Sequence, residues 1–293
     1  MIGLGSLIGL ILILVLFVFT ASNNRLNRSY QFDITGIELP SDSLAIERGR
    51  HIAITRGCMD CHGINLGGSV VMDNPAMGYM AGPNLTYGKG GLPASYSDLD
   101  YIRAIRHGIS PEGRALVLMP SEEYYYLGDE DLGSLIAYLK SIPPFDRDLG
   151  DARVGPVARL LIAFRQAPLI SAELIEHEGV HPEAPQVGIT VEYGKYLSAS
   201  CIGCHGAGFS GGKIPVGPPN WPPATNLTPD VDTGMGTWSE ADFIHSMRYG
   251  IRPDGTVLDP IMPWPNFGQM TDTELKALWM YLSQVPSKKE GNR

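Results

Sequence analysis

The sequence predicts an all-α protein in which one apolar helix precedes two copies of a small helical unit. Three observations carry this reading. The first 22 residues hold no charged side chain and are almost wholly apolar from Ile2 to Ala21. The rest of the chain repeats itself, segment by segment and in the same order. Within each repeat, apolar residues recur at helical rather than alternating spacing.

The apolar N-terminus is long enough to cross a bilayer as one helix. A cleaved signal peptide is the competing reading. Against it, the segment lacks a basic leading region, and its apolar run exceeds the usual signal-peptide core. Thr20 and Ser22 form its one cleavage-like feature. Residues 1–22 are therefore expected to be a retained transmembrane anchor, and no cysteine follows them that could take a lipid. Arg25 and Arg28 come next, and by the positive-inside rule alone they would face the cytoplasm.

The repeat sets the organisation of the remainder. ERGRHIAITRGCMDCHG (47–63) pairs with EYGKYLSASCIGCHG (192–206), and GPNLT (82–86) with ATNLT (224–228). YSDLDYIRAIRHGI (96–109) pairs with WSEADFIHSMRYGI (238–251), and LVLMP (116–120) with DPIMP (259–263). DEDLGSLIAYLKSIP (129–143) pairs with TDTELKALWMYLSQVP (271–286). This gives a first domain at 41–146, a linker at 147–187 and a second domain at 188–287. Leu99, Ile102 and Ile105 mark a helix after a Ser97 cap; Phe243, Ile244 and Met247 mark its counterpart after Ser239. The last helix of each unit carries Leu132, Leu135, Ile136 and Leu139, or Leu275, Leu278, Trp279 and Leu282, and stops before Pro143 or Pro286. No long alternating strand pattern is present. In the linker, Val157–Phe164 reads as a short apolar helix between Pro156 and Pro168, packing between the domains or docking on a membrane or partner. His177 and His181 are expected to be exposed to solvent.

The chain has four cysteines, and all lie in two motifs, CMDCHG (58–63) and CIGCHG (201–206). A four-cysteine zinc site would bring its pairs closer in sequence and needs no histidine after each. Disulfides also leave His62 and His205 unexplained. C-x-x-C-H is the signature of covalent haem attachment. Thiols at i and i+3 lie on one side of a helical turn and reach the two vinyl groups of one porphyrin, and the adjacent histidine meets the iron. Cys58, Cys61 and His62 are thus assigned to one haem c, and Cys201, Cys204 and His205 to a second. Haem attachment of this kind takes place outside the cytoplasmic membrane, which outweighs the two arginines. The bulk of the chain is expected on the periplasmic side of the inner membrane, tethered by a single pass.

Of eleven methionines, Met119 and Met262 stand apart. Each precedes proline, each follows a glycine-containing loop, and each lies 57 residues after the histidine of its motif. They are the expected second iron ligands. Histidine with methionine is the ligand pair of an electron carrier.

Both units resemble class I cytochrome c domains, and the chain from about 41 to 286 resembles membrane-anchored dihaem cytochromes c, found as cytochrome subunits of bacterial dehydrogenases and respiratory complexes. The resemblance rests on both C-x-x-C-H motifs, both NLT motifs, both Met-Pro pairs and both terminal helices. It implies that the first and last helices of each unit cross at a glycine facing an aromatic residue, here Gly49 with Tyr138 and Gly194 with Tyr281. It also implies electron transfer without bond chemistry, with redox partner proteins or other subunits of a membrane complex. The alternative is a dihaem redox enzyme, peroxidase-like or thiosulfate-oxidising, which needs an open iron position. Asn84, Asn226, Arg106 and Arg248 are candidates to bind haem propionates. The net charge of −9 argues against nucleic acid as a partner.

Overall fold

The computed structural model describes residues 2–179, 181, 183–215, 217–218 and 220–292. Met1 of the expected anchor, Val180 and Pro182 of the expected linker, and Val216 and Pro219 of the second unit lie outside the described residues. Helix α1 (Ile2–Leu26) runs one turn past the expected anchor. Its stretch Gly5–Leu26 has a mean hydropathy of 2.5 and is long and apolar enough to cross a membrane.

In the first unit, α2 (Ser43–Thr55) is capped by Asp42, which accepts from the amides of Leu44 and Ala45 at 3.0 Å. A one-turn helix, α3 (Cys58–His62), carries the first cysteine motif. After it come α4 (Asp98–His107), α5 (Ser121–Tyr124) and α6 (Asp129–Ser141). Ser97 and Asp100 form a reciprocal capping box at the start of α4, and Gly108 closes it in the left-handed conformation. Caps of this kind each contribute about 1 kcal/mol.

The second unit repeats the design with α8 (Val191–Leu197), α9 (Ile202–His205), α10 (Glu240–Tyr249), α11 (Trp264–Phe267) and α12 (Asp272–Leu282). Ser239 with Asp242 and Thr271 with Glu274 form its capping boxes. First and last helices cross at the expected glycines. A Cβ on Gly49 would lie 1.9 Å from the Ser134 carbonyl oxygen and 2.8 Å from Cβ of Tyr138. One on Gly194 would lie 2.0 Å from the Ala277 oxygen and 2.8 Å from Cβ of Tyr281.

Two features depart from the sequence expectation. The first unit contains an antiparallel hairpin, β1 (Ser69–Asn74) with β2 (Gly78–Gly82), extended by β3 (Arg153–Val154) against β2. An irregular register between Val70 and Met72 breaks the alternation that a strand search reads. The linker helix α7 (Pro156–Ala163) packs against α1 and the first unit instead of between the domains. Phe164 meets Phe17 with ring centroids 5.8 Å apart, and Arg159 lies over Phe19 and donates to Ser22 Oγ at 3.0 Å. Glu173 pairs with Arg25. Ala158, Ile162, Leu169 and Ile170 then form a small core with Ile109 and Met80.

His177 and His181 are half-buried, contrary to the expected exposure. The His177 ring stacks on Phe32 with centroids 4.4 Å apart, and its Nδ1 lies 3.2 Å from that of buried His107. The His181 ring packs on Tyr125. Covering His107 removes apolar ring surface from water, a gain that sequence position alone does not reveal.

The two units meet through contacts that are made twice, with their roles exchanged. His51 on α2 donates from Nε2 to Glu274 on α12 at 2.8 Å. Tyr196, its counterpart on α8, donates to Asp131 on α6, the counterpart of Glu274, at 2.5 Å. Asp60, inside the first cysteine motif, accepts from Asn266. The Gly203 amide, inside the second motif, donates to Glu123, which occupies the position of Asn266 in the first unit. The units are thus related by a local pseudo-two-fold axis, and that axis sets the two motifs side by side.

Candidate haem sites

Each cysteine motif sits on a short helical segment that glycine closes, and in the first unit glycine also opens it. Gly57 (φ 76°) opens α3, and Gly63 (φ 78°) and Gly206 (φ 79°) close α3 and α9. The positive φ turns the chain away directly after each histidine at little steric cost. His62 and His205 are both buried. His62 donates from Nδ1 to the Pro83 carbonyl at 2.9 Å, and His205 from Nδ1 to the Thr225 carbonyl at 2.7 Å. A carbonyl only accepts, so Nδ1 carries the proton and Nε2 keeps its lone pair. This is the tautomer and the orienting contact that a metal-binding imidazole uses. Burial lowers the pKa of His62, which favours the neutral ring.

Burial pushes the Cys58 and Cys201 thiols up to about 12 and raises Cys61 as well, so they are uncharged at neutral pH. No two of the four cysteines are joined in a disulfide. Among the described residues, no group of three or more His, Cys, Asp or Glu side chains is gathered as for a metal ion. The cysteines lie as two pairs, one in each unit.

Met119 and Met262, 57 residues beyond their histidines, reach the same space. One largely apolar cavity of about 910 Å³ is lined by Cys58, Cys61, His62 and Met119 of the first unit and by Cys201, Cys204, His205 and Met262 of the second. Its volume lies near the top of the range for ligand sites, and both motifs open into it. Met119 follows Leu118, a non-glycine residue held at φ 73°. Such a conformation persists only where neighbours enforce it. Here Leu118 N–H donates to the Leu169 carbonyl at 2.9 Å, and Ser171 Oγ donates to the Met119 carbonyl at 2.5 Å. Met262 is fixed within its own loop, donating to the Asp259 carbonyl at 3.0 Å and accepting from Trp264 N–H at 2.7 Å.

The propionate candidates have other occupations. Asn84 donates to the Phe145 carbonyl and Asn226 to the Lys288 carbonyl, each at 2.7 Å. Their Oδ1 atoms accept from the amides of Thr86 and Thr228. The NLT motif is a clasp for the chain leaving the last helix. Arg106 bonds the Leu127 carbonyl and Asp129; Arg248 bonds the Met270 carbonyl and Asp272. Both tie the preceding helix to the start of the last one. The guanidinium groups on the cavity wall are instead those of Arg56 and Arg252. Arg56 also bridges the units, donating to the Leu197 carbonyl at 2.7 Å and to Ser200 Oγ at 2.8 Å. Glu123, likewise on the wall, is pushed up to about 8 by burial and then by Glu122, partly offset by Arg56. Neither residue stands out in the sequence, because the units come together only through folding.

Two cysteines one turn apart, an imidazole anchored through Nδ1 and an apolar cavity suit covalent haem in each unit. Fold and site together define a protein with two tandem haem-attachment domains. The sequence matches the cytochrome c family over residues 46–143 and again over 191–286, so the chain belongs to that family and carries two covalently bound haem c groups. It is 26% identical over 276 residues to a "Diheme cytochrome c-type" protein of Cereibacter sphaeroides, covering 82% of this chain and 86% of that one. It is 26% identical over 277 residues to the "Fructose dehydrogenase cytochrome subunit" of Gluconobacter japonicus, covering 85% of this chain and 54% of that one. Over 100 residues it is 38% identical to the cytochrome c subunit of a quinone alcohol dehydrogenase of Gluconacetobacter polyoxogenes. That match covers 31% of this chain and 21% of the relative, so the matched part spans about a fifth of the relative's length.

Proposed function

We propose that the chain is a membrane-anchored dihaem electron carrier serving as the cytochrome subunit of a dehydrogenase-type complex. The first domain (41–146) attaches its haem through Cys58 and Cys61 and ligates it with His62 and Met119. The second (188–287) uses Cys201, Cys204, His205 and Met262. When bound, each haem cycles between ferric and ferrous iron and so holds or releases one electron. The chain's own part is to keep water out, hold both imidazoles in one tautomer and set the two groups side by side.

The observation that carries this reading is the single cavity onto which both motifs and both methionines open. That arrangement would hold the two redox groups close to each other, one on Cys58, Cys61, His62 and Met119 and the other on Cys201, Cys204, His205 and Met262. The relatives named as dehydrogenase cytochrome subunits support a donor of that class. Helix α1 supports the anchor: it is exposed and apolar. The Arg25–Glu173 pair also supports an extracytoplasmic placement, because it cancels one of the charges that argued against it.

Detergent extraction of native membranes, followed by affinity capture of the full chain and mass spectrometry, tests this proposal. A dehydrogenase subunit that co-purifies and reduces the haems on addition of its substrate is the expected result. A chain that fractionates quantitatively as a soluble protein, with its first 22 residues missing, would refute the anchor.

A further inference from the structure

The repeat allows one surface to be compared with itself. In the first unit, His107 and Ile109 are 2% and 1% exposed. The linker covers them: Leu169 accepts from Leu118 N–H, Ser171 holds the Met119 carbonyl, His177 meets His107, and Ile170 and Ala172 complete the core around Ile109. The counterparts in the second unit are Tyr249 and Ile251, at 63% and 38% exposed, with Val257 beside them at 69%. Here no described segment of the chain plays the linker's part. Val257, Leu258 and Ile261 continue from this face onto the wall of the haem cavity.

We infer that the Tyr249–Ile251–Val257 face is the docking surface for a redox partner protein, so that electrons cross between this chain and that partner through the second unit. The inference rests on the electron-carrier reading above. Two observations choose the occupant. The same face on the first unit is filled by a polypeptide segment with an apolar, uncharged centre (Ala167–Ala172), so its shape and chemistry accept protein. The face is also continuous with the haem cavity, where a partner's centre must come close. Contiguous exposed apolar residues of this kind mark interaction sites, and a buried tyrosine is a favoured anchor. In the step itself one electron leaves the second unit and reduces a one-electron acceptor in the partner; no bond forms or breaks. On the first unit the linker bars the equivalent approach.

The test uses the purified, haem-loaded full chain, reduced beforehand, in a stopped-flow apparatus with two acceptors: an oxidised soluble cytochrome c with a basic surface, and ferricyanide, which needs no docking. Tyr249→Asp is expected to slow transfer to the cytochrome by at least about tenfold, equivalent to 1.4 kcal/mol, with the ferricyanide rate, spectrum and haem content unchanged. Tyr249→Phe should restore the rate, and Tyr126→Asp, at an exposed position of the first unit, should leave it at the wild-type value. A Tyr249→Asp protein as fast as wild type overturns the inference. So does one whose only defect is weaker binding to liposomes, which would make the face a lipid contact. A wild-type chain that reduces neither acceptor strikes at the electron-carrier reading itself.

Discussion

His51 and Glu274, 223 residues apart, face each other across the boundary between the two units at 2.8 Å. The same boundary is crossed in the other direction by Tyr196 and Asp131. The duplicated sequence has therefore kept one interface and filled it with different chemistry on its two sides, imidazole with glutamate and phenol with aspartate. Burial opposes the Glu274 carboxylate, but hydrogen bonds from His51 and from the Thr271 cap outweigh it and hold its pKa below the usual value. A depressed carboxylate contributes stability that is present above its unfolded pKa and lost as pH falls through its folded one. Docking of the units is thus expected to weaken below about pH 4.3. Tyr196→Phe should cost about 1 kcal/mol at neutral pH, and Glu274→Gln should flatten the acid limb of the stability curve. Thermal melts of the haem-loaded protein between pH 3 and 7 measure both; an unchanged acid limb in Glu274→Gln would remove Glu274 from the explanation.

Glu123 behaves in the opposite sense. Its carboxyl is pushed up to about 8, mainly by burial, so the folded protein holds a proton that the unfolded chain releases near pH 4.5. Its contribution therefore falls as pH rises from about 4.5 and levels off above 8. Glu123→Gln is neutral at all pH values and should gain on the order of 2 kcal/mol relative to wild type between pH 6 and 9. Melting temperatures at those two pH values check this. A wild type and variant that differ equally at both would show that Glu123 does not titrate in that window.

The two helix crossings leave no room for a methyl group. Because the atoms met at Gly49 and Gly194 are backbone oxygens, they cannot move aside as a side-chain tip would. Gly49→Ala or Gly194→Ala is expected to cost about 3 kcal/mol and to cut the yield of haem-loaded protein. Wild-type yield and melting temperature in either variant would mean that the crossing is looser than this packing.

Met119→Ala and Met262→Ala should each keep covalent haem, because the cysteines are untouched, but lose one sulfur ligand. The thioether raises the potential, so the affected haem should become more reducing. Spectroelectrochemical titration resolves the two haems, and native potentials in both variants would assign the ligand to another residue. Among the described residues the linker clamp on Leu118 and Met119 has no counterpart at Met262, so the second site should tolerate loop substitutions less well.

Much of this site was legible because covalent attachment is written in local spacing. C-x-x-C-H needs only one helical turn, and the equal spacing in the repeat singled out Met119 and Met262, which line the cavity. Caps at Ser97 and Ser239 and the glycine crossings were equally local. The hairpin was not legible, because its bulge at Val70–Met72 disrupts the alternation by which a strand is read. The linker helix showed its apolar face but not its surroundings: Ala158 and Ile162 fit a membrane, a partner or the body of the protein equally well by sequence. The contacts of Asn84 and Arg106 with the carbonyls of Phe145 and Leu127 were not legible, because repetition near a haem motif does not show which backbone groups a polar side chain meets. The roles of Arg56, Glu123 and His51 belong to the meeting of two units, and no spacing within one unit encodes that.

With Met119 and Met262 as the proposed second ligands, both irons would be closed by protein, and the chain would pass electrons without bond chemistry. Carbon monoxide added to the dithionite-reduced, purified full chain at neutral pH, followed by its Soret spectrum, tests it most directly. A spectrum unchanged over seconds, at either haem, is the expected result. Rapid carbon monoxide binding at one or both haems would contradict it and would point to an open iron and a dihaem enzyme.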